Sequence, residues 1–422
     1  MTANANRPRA VWIVAAFAKG GDELHSNRFD YIASEAARRG CAVTQFISSF
    51  DHWKKARRRA PAPADRKVVR VYEPGYRSNV SARRIASHLV FSAALGAHLV
   101  AMTVARGRPD VIYCCVPHNL SAFLCGVYCK VLRVEFVVDV HDTWPESLLS
   151  IYRVPAWQRP MYHAWRWLAD ASFRMANRVF AECRRYAARA AEARGQIRAG
   201  ETVPAIYLGG DVAYFDALDR APALPEHVRG AFPRFVYAGS LGVNYDLDTI
   251  VEAFACVQAV RPGAALVFLG SGERQANLER ALADRSLRAW VSGHLPYAEL
   301  ARRLMQCDVG LNAFRPGGNV GYSYKLNDYL LAGLPVINSL EGEAQELVTK
   351  HELGLNYRAG DAGSLADAML AFCDSAAGMA PRRARVRAFA RRSLDRKTIY
   401  APIFEAILAA GRGAAEEHDA RH

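Results

Sequence analysis

Short apolar runs recur along the chain and alternate with segments of helical periodicity. The apolar residues within these runs are contiguous, which is typical of strands that are buried on both faces of a parallel sheet. The predicted strands are residues 10–17, 42–48, 68–72, 111–116, 136–140, 179–182, 235–238, 265–269, 309–314 and 335–338.

Helical periodicity separates these strands. Between the first two, residues 22–39 place Phe29, Ile32, Ala33 and Ala36 on one helical face. Strands that alternate with helices predict an α/β fold in which helices cover a mostly parallel sheet. The other predicted helices are residues 85–105, 247–258, 275–282, 297–306, 323–331 and 364–373.

The alternation pauses at residues 194–215 and then starts again. We therefore predict two doubly wound, Rossmann-like domains, one over residues 1–204 and one over residues 205–385. Residues 386–422 are predicted to return as a helix toward the first domain and to end in a frayed tail. Because ligands bind beyond the carboxyl ends of parallel strands, two such domains facing each other predict a binding cleft.

Two segments resemble membrane signals. Residues 1–21 imitate a signal peptide, but a helix and a second strand follow at once, which favours a first buried strand. Residues 85–105 have nearly the length that spans a bilayer, about 20 residues. Since His88 and His98 interrupt this segment, we predict a buried or interfacial helix rather than a spanning one.

Composition adds a strongly basic balance to this picture. The formal net charge is +14 and the pI is about 9.5, with 51% hydrophobic and 23% charged residues. Such a charge suits nucleic acid, an anionic membrane surface or a phosphorylated substrate, and it does not choose between them. The nine cysteines form no C-x-x-C pair, which argues for a reducing compartment and against a zinc site.

The stretch "GGNVGYSYKLNDYLLAGLPVINS" places a glycine turn directly before a helix. Free backbone N–H groups at Gly321, Tyr322 and Ser323 would form an anion site at the helix N-terminus. A second loop, "AGSLG", follows a buried strand, and its Gly239, Ser240 and Gly242 allow close approach of a diphosphate. The alternative for the second loop is an ordinary strand-to-helix turn.

Ordered blocks in the second half resemble the C-terminal domain of retaining glycosyltransferases of family 4, which have the GT-B fold. In the first half, a glycine loop with Gly20 and Gly21 and the stretch "VVDVHDTWPES" resemble enzymes that build bacterial surface polysaccharide. "YLGGDVAYF" resembles the interdomain junction of the family. The blocks of the second half are "FVYAGSLGVNYDLDTIVEAF", "ALVFLGSGERQANLERAL", "WVSGHLPYAELARRLMQCDVGLNAF", "YSYKLNDYLLAGLPVINS" and "GLNYRAGDAGSLADAM".

The resemblance implies roles for the cations near these loops. Family members commonly carry an arginine and a lysine for the diphosphate where this chain has Ser240 and Tyr245. Lys325, in the first turn of the predicted helix, is the natural substitute together with the helix dipole. Arg315 is a second candidate, and the alternative for Lys325 is a solvated surface lysine.

The family also carries two glutamates separated by seven residues, and the second typically holds the ribose hydroxyls. Its counterpart here is Asp328, for which the alternative is an exposed helix aspartate. The first glutamate falls at Val320, so Asn319 or a main-chain group is expected to replace it.

His141 follows the strand at residues 136–140, and the matching histidine of relatives contacts the donor sugar. A neutral imidazole can hydrogen-bond a sugar hydroxyl and later carry charge. The alternative for the neighbouring stretch "HDTWPE" is a helix cap, with Asp142 capping and Pro145 in the first turn.

The resemblance therefore implies a retaining glycosyltransferase, of the hexosyltransferase type, that moves a sugar from a nucleotide-diphosphate-sugar to an acceptor hydroxyl. The expected acceptor is a lipid-linked glycan in surface polysaccharide synthesis. The leaving diphosphate would take the acceptor proton, while the protein orients the reactants and stabilises the leaving group. We expect no metal and no cofactor.

We expect the protein to be cytoplasmic and peripheral at the inner face of the cytoplasmic membrane. The basic residues 54–59, with Arg83, Arg84 and the apolar residues 85–105, would face anionic lipid. One alternative is a nucleotide-sugar 2-epimerase-like enzyme with the GT-B fold. Another is a nucleic-acid-binding protein, but the chain lacks a basic motif interleaved with aromatic residues, so no nucleic acid partner is expected.

Overall fold

The computed structural model describes residues 7–20, 27–59, 61–78, 81–150, 153–195, 202–219, 223–242, 245–317, 320–374 and 376–409. The strands of this part of the chain are β1 (Ala10–Val14), β2 (Ala42–Ser48), β3 (Phe50–Asp51), β4 (Ala56–Arg57), β5 (Lys67–Val71), β6 (Val111–Val116), β7 (Glu135–Val140), β8 (Arg178–Ala181), β9 (Arg234–Ala238), β10 (Ala265–Leu269), β11 (Ala289–Val291), β12 (Val309–Asn312), β13 (Val336–Asn338) and β14 (Gly354–Asn356).

The α-helices of the same residues are α1 (Arg28–Arg38), α2 (Ala82–Arg106), α3 (Asn119–Leu132), α4 (Arg159–Met175), α5 (Arg184–Ala193), α6 (Val212–Asp216), α7 (Glu226–Arg229), α8 (Leu247–Val260), α9 (Gln275–Asp284), α10 (Tyr297–Leu304), α11 (Tyr324–Leu331), α12 (Glu343–Lys350), α13 (Ala362–Cys373), α14 (Met379–Ser393), α15 (Arg396–Ile399) and α16 (Ala401–Ala409).

The chain divides into two compact units. The first unit comprises Met1–Tyr207 with Tyr400–His422, and the second comprises Leu208–Ile399. The first unit resumes at Tyr400 rather than at residue 386, because α14 packs on α11 of the second unit. The predicted tail after residue 409 lies outside the described residues.

The first unit is built on a six-stranded parallel sheet of order β5-β2-β1-β6-β7-β8. The order reverses between β1 and β6, where Val11 pairs with Val111. A short antiparallel pair, β3 with β4, follows β2 and was not predicted. The central strands are buried on both faces, which explains their contiguous apolar sequences.

The second unit repeats this plan with a six-stranded parallel sheet of order β11-β10-β9-β12-β13-β14. Its core joins Phe235 and Leu266 of the sheet to Phe254 of α8 and Met369 of α13, all buried. The prediction of two Rossmann-like α/β domains of the GT-B type is confirmed. All predicted strands are present, whereas the three-residue strands β11 and β14 were missed.

Helix α2 begins after the cap residue Ser81 and runs for 25 residues. By length and composition it could cross a membrane, although 33% of its most apolar window is buried. Phe91, Leu95 and Leu99 face the core of the first unit. The opposite face exposes the apolar side chains Leu89, Val90, Val100 and Val104.

Candidate active site

The predicted site residues lie in both units. Gly20 and His141 belong to the first unit, while Gly21 and Asn319 lie outside the described residues. The residues predicted in the second unit are Gly239, Ser240, Gly242, Arg315, Gly321, Tyr322, Ser323, Lys325 and Asp328.

In the second unit, the loop after β9 interlocks with the loop after β10. The N–H groups of Gly239 and Leu241 are donated to carbonyls of the neighbouring loop, at 2.9 and 3.0 Å. A Cβ on Gly270 would lie 1.9 Å from the carbonyl oxygen of Gly239, and one on Gly272 would lie 2.5 Å from that of Leu241. These glycines are therefore required for the close approach of the two loops.

Helix α11 is fixed against the ends of β9 and β12. The Ser323 hydroxyl accepts a hydrogen bond from the first turn at 3.3 Å and donates one to Oδ1 of Asn312 at 2.7 Å. The Tyr329 hydroxyl accepts from the N–H of Ala238 at 2.8 Å and donates to the carbonyl of Leu311 at 3.1 Å. The N-terminus of α11 is thereby held beside the loop of Gly239.

The side chain of Lys325 lies in an aromatic cage. Its Nζ is 3.6 Å from the ring centroid of Tyr245, 4.9 Å from that of Phe314 and 5.3 Å from that of Tyr237. A Cβ on Gly239 would lie 2.8 Å from Cε of this lysine. The alternative of a solvated lysine is wrong, because the residue is only 8% exposed.

Electrostatically, the ammonium of Lys325 is uncompensated. Burial lowers the pKa of Lys325 to about 7, and within the described ranges the side chain makes no hydrogen bond or ion pair. The surrounding rings attract a cation by about 0.5–2 kcal/mol, which offsets only part of the cost of burying it. An anion bound here would therefore favour the charged form.

The loop and the helix that enclose Lys325 also offer backbone donors. For the portion of the chain that the structure describes, the N–H groups of Ser240, Gly242, Ser323 and Lys325 meet no protein acceptor. Donors of this kind at a helix N-terminus bind anions together with the helix dipole. Gly321 and Tyr322, which precede the cap, are buried.

Asp328 is half-buried, and its Oδ1 accepts a hydrogen bond from the Tyr297 hydroxyl at 2.9 Å. Burial and the Asp328 carboxylate raise the pKa of Tyr297 well above its ordinary value, so this hydroxyl stays a donor. The ring of Tyr297 stacks on Tyr214, with centroids 6.3 Å apart. Sequence reasoning identified Tyr297 only as the start of a helix and missed this orienting contact.

Arg315 lies outside the aromatic cage. Its side chain is 46% exposed, and its Nε donates to the carbonyl of Tyr245 at 3.3 Å. One Nη lies 3.5 Å from Asp248, which also pairs with Arg274. Because its charge is already shared with a carboxylate, Arg315 is a weaker anion partner than Lys325.

In the first unit, His141 follows β7 between two carboxylates. Its Nε2 lies 3.0 Å from Oδ2 of Asp139, and its Nδ1 lies 2.8 Å from Oε2 of Glu182 without hydrogen-bond alignment. Burial favours the neutral ring, but the two carboxylates outweigh it and raise the pKa of His141. Both ring nitrogens of His141 therefore face carboxylates, which favour the charged form of a ring that the sequence analysis expected to be neutral.

Asp139 connects this histidine to a buried arginine that the sequence did not reveal. Arg28 donates to Oδ1 of Asp139 at 3.0 Å, and the Tyr113 hydroxyl donates to Oδ2. Burial alone would raise the pKa of Asp139, but Arg28 and His141 hold it below its usual range. The guanidinium of Arg28 also lies over the ring of Tyr400, at 4.7 Å. A carboxylate inside the apolar run "VVDV" was the available signal.

Gly20 shapes a loop rather than offering its N–H group. Its φ is +85°, and a Cβ would lie 2.8 Å from Cδ1 of Ile47. Its N–H is donated to the carboxylate of Asp30 at 3.2 Å, and Asp30 pairs with the buried Arg66. Among the described residues, no group of three or more His, Cys, Asp or Glu is placed to hold a metal ion. The expectation that the enzyme needs no metal ion stays a prediction.

Two family models match the chain. Residues 25–205 match the glycosyl transferase 4-like domain, and residues 232–375 match glycosyl transferases group 1. Together with the two parallel sheets, these matches define the class. The chain belongs to the family 4-like, group 1 glycosyltransferases with the GT-B fold, and it is a glycosyltransferase enzyme.

A relative of established activity matches part of the chain. It is the GDP-mannose-dependent monoacylated alpha-(1-6)-phosphatidylinositol monomannoside mannosyltransferase of Corynebacterium glutamicum, 32% identical over 131 residues. The match covers 30% of this chain and 34% of that protein, so the chain aligns with about a third of this relative's length.

Solved structures share the fold over nearly the whole chain. Trehalose 6-phosphate synthase of Burkholderia multivorans has a TM-score of 0.70 at 14% identity and covers 97% of this chain and 98% of its own. Sucrose-phosphate synthase of Thermosynechococcus elongatus has a TM-score of 0.67 at 17% identity, and the match covers 98% of this chain and 100% of the synthase. HepE of Anabaena, solved with UDP, has a TM-score of 0.66 at 15% identity, and the match covers 95% of this chain and 100% of HepE.

Proposed function

We propose that this glycosyltransferase takes its sugar from a nucleotide-diphosphate-sugar and transfers it to an acceptor hydroxyl with retention at the anomeric carbon. The observation that carries the proposal is the uncompensated ammonium of Lys325 in its aromatic cage. A diphosphate would supply the missing negative charge and would accept hydrogen bonds from the unpaired N–H groups of the adjoining loop and helix.

The other predicted residues of the second unit surround the same point. Asp328, oriented by Tyr297, would accept hydrogen bonds from the ribose hydroxyls. Arg315 would contribute at the rim. Among the relatives, HepE was solved with UDP and the Corynebacterium glutamicum enzyme is GDP-mannose-dependent. UDP and the GDP part of GDP-mannose are both nucleoside diphosphates. They support a nucleotide-diphosphate-sugar as the donor and do not distinguish uracil from guanine as its base.

The proposed chemistry needs no protein nucleophile. The bond between the anomeric carbon and the diphosphate oxygen breaks while the acceptor oxygen bonds to the same face of that carbon. The acceptor proton passes to the departing phosphate oxygen. Lys325 and the backbone donors would stabilise the charge that develops on this leaving group. No metal or cofactor takes part in this scheme.

In the first unit, we propose that His141 contacts the donor sugar and that Gly20 and Gly21 take part in donor binding. The two ring nitrogens of His141 face Asp139 and Glu182, so a sugar hydroxyl would have to share one of them with a carboxylate. His141→Ala is therefore expected to impair turnover more than donor binding.

For the acceptor we propose a lipid-linked glycan, and for the enzyme a peripheral position on the cytoplasmic face of the membrane. The exposed face of α2 supports this, because it is apolar from Leu89 to Val104 and basic at both ends, at Arg83 and Arg106. Apolar faces with flanking basic residues bind anionic bilayers.

The first experiment is a thermal-shift screen of UDP- and GDP-sugars with the full chain. A donor raises the unfolding free energy by about 2.7 kcal/mol at 100 times its dissociation constant. With the donor identified, NMR of the product reports the anomeric configuration. An inverted product would overturn retention, and conversion of the donor without acceptor would favour the 2-epimerase alternative.

Membrane association is tested by flotation with vesicles of phosphatidylcholine alone or with phosphatidylglycerol. We expect binding only to the anionic vesicles and release by high salt. Val100→Glu with Val104→Glu should abolish binding, because both side chains are exposed on the apolar face of α2. Association that resists carbonate and yields only to detergent would contradict a peripheral position.

A further inference from the structure

Three asparagines end three neighbouring strands of the second sheet in register. Asn312 is the last residue of β12, Asn338 is the last of β13, and Asn356 is the last of β14. Asn312 pairs with Asn338, and Asn338 pairs with Asn356, across the parallel strands. Side chains at paired positions of parallel strands lie on the same face of the sheet. We call these three residues the asparagine ladder.

The side-chain amides of the ladder form a chain of hydrogen bonds. Nδ2 of Asn312 donates to Oδ1 of Asn338 at 2.7 Å, and Nδ2 of Asn338 donates to Oδ1 of Asn356 at 2.8 Å. Nδ2 of Asn356 donates in turn to the hydroxyl of Thr349 in α12 at 2.9 Å. Asn312 and Asn338 are 0% and 1% exposed, and a buried amide group without a partner is destabilising, so these bonds are strongly favoured in the folded chain.

The backbone of Leu340 determines which way the amides point. Its N–H donates to Oδ1 of Asn338 at 3.1 Å, and its carbonyl accepts from Nδ2 of Asn338 at 2.9 Å. Because an N–H only donates and a carbonyl only accepts, the amide of Asn338 cannot be reversed without the loss of both bonds. Oδ1 of Asn338 therefore receives the Nδ2 group of Asn312, which leaves Oδ1 of Asn312 for the Ser323 hydroxyl.

The ladder ends at the cap of α11. The Ser323 hydroxyl donates to Oδ1 of Asn312 at 2.7 Å and accepts the N–H of Leu326 at 3.3 Å. Since its single proton points to Asn312, the hydroxyl keeps its lone pairs for the first turn of the helix. Lys325 and the backbone donors of the proposed diphosphate site lie in the same turn.

We propose that the asparagine ladder positions the diphosphate site without touching the ligand. Its amides hold the Ser323 hydroxyl as a helix cap, and the cap keeps the N-terminus of α11 and Lys325 in the arrangement that binds an anion. Apolar residues of the same shape would stabilise buried strand ends about as well as bonded amides do, so stability alone does not account for the ladder. The inference rests on the proposed function, because it adds positioning residues to the same site.

The test is a double-mutant cycle in the full chain between Ser323→Ala and Asn338→Leu, two positions that Asn312 joins. Calorimetric titration measures the affinity for UDP and GDP, with uridine and guanosine as the references that lack the diphosphate. Each single variant should weaken the nucleoside diphosphate about 2- to 30-fold, the range for the loss of an N-cap, and leave the nucleoside unchanged. The double variant should be no weaker than the weaker single variant, because both changes release the same cap.

Ile337→Ala is the matched control for Asn338→Leu. Ile337 precedes Asn338 on β13 and is fully buried, so the variant loses stability through packing and leaves the ladder intact. It should keep the ratio of diphosphate to nucleoside affinity. If Asn338→Leu does not fold, Asn356→Ala at the half-buried end of the ladder replaces it in the cycle. The expected loss is then about 2- to 10-fold, as for one neutral hydrogen bond.

Amide hydrogen exchange without any ligand provides a readout that is independent of the donor. Asn338→Leu should accelerate exchange in the first turn of α11, where Leu326 is bonded to the cap, relative to the rest of the second unit. Ile337→Ala should not change exchange in this turn relative to the rest of the unit, because it leaves the cap in place.

Additive effects of Ser323→Ala and Asn338→Leu would overturn the inference. A loss of diphosphate affinity in Ser323→Ala alone would also overturn it and would assign the hydroxyl to the ligand. If neither UDP nor GDP binds while exchange in α11 responds to Asn338→Leu, the ladder holds the helix and only the donor proposal is wrong. If a nucleoside diphosphate binds and Asn338→Leu changes neither its affinity nor the exchange, only the positioning inference is wrong.

Discussion

Lys325 in the second unit and His141 in the first are both buried titratable bases beyond the carboxyl end of a parallel strand, but their surroundings are opposite. Lys325 is enclosed by aromatic rings, and burial lowers its pKa to about 7. His141 lies between Asp139 and Glu182, which raise its pKa in spite of burial.

The difference concerns where the compensating charge comes from. Around His141 the carboxylates of Asp139 and Glu182 supply it, and Arg28 pairs with Asp139 in turn. Around Lys325 the described residues supply none, so a bound anion would complete the site. Removing a group should therefore cost mainly stability in the first network and mainly ligand affinity in the second.

The largest expected effect is on stability. Arg28→Met would leave Asp139 buried without its main partner, and breaking a buried ion pair costs about 3–5 kcal/mol. Urea unfolding should show this loss. Arg38→Met is the control, because Arg38 sits on the same helix and is 64% exposed, and its partner Glu35 keeps a second ion pair with Arg39. It should cost at most about 1 kcal/mol, and a similar loss in both variants would contradict the comparison.

Lys325→Met should reverse this pattern. The substitution keeps an unbranched side chain in the aromatic cage and removes a charge that has no protein partner. We expect nucleoside diphosphate affinity to fall about 10- to 150-fold, the value of charge-assisted hydrogen bonds of about 1.5–3 kcal/mol, with nucleoside affinity unchanged.

The unfolding free energy of Lys325→Met should not fall. Folded Lys325 has a lower pKa than unfolded lysine, so its cost to stability is full below pH 7 and disappears as the pH rises toward about 10. The stability gained by the variant should therefore be larger at low pH. An unchanged ratio of diphosphate to nucleoside affinity would place the anion elsewhere, with Arg315 as the next candidate.

The affinity for the donor should also depend on pH, and it should fall as the pH rises above 7. Below pH 7 the free enzyme already carries the Lys325 proton, whereas above it binding of the diphosphate must take up a proton. Affinity should therefore fall by up to about tenfold per pH unit above pH 7. Titrations between about pH 7.5 and 9 measure this slope. A slope that persists in Lys325→Met would assign the proton to another group.

The smallest effect is expected at Asp328. Asp328→Ala should remove the preference for ribose over 2′-deoxyribose in the nucleoside diphosphate, a difference of about 1–3 kcal/mol if both hydroxyls are bonded. Tyr297→Phe keeps the carboxylate and removes only its orienting donor, so it should reduce the preference without abolishing it. If both variants keep the full preference, the ribose contacts another residue.

The residues around Lys325 could be grouped from the sequence more easily than the network around His141, and the reason is distance along the chain. Gly321, Ser323, Lys325 and Asp328 lie within one short segment, so a loop followed by a helix brings them together. Arg28 and Asp139 are 111 residues apart, and no periodicity connects them.

The fold was predictable for a related reason. Contiguous apolar runs such as those of β1 and β6 identify buried parallel strands. β11 has only three residues, none of them buried, and an edge strand of this kind lacks the apolar pattern. The aromatic cage was also hidden, because Tyr237, Tyr245 and Phe314 come from separate segments that only the folded sheet brings to one lysine.

The contact between Arg28 and Tyr400 also has a consequence for the order of events at the ribosome. The second unit is continuous in sequence, whereas the first is completed by α16. The guanidinium of Arg39 packs over the ring of Phe404 on this helix. At about 5–20 residues per second, roughly 20 to 75 seconds separate the synthesis of residues 28 and 400. During that interval the nascent first unit holds its buried arginine without the aromatic ring that covers it.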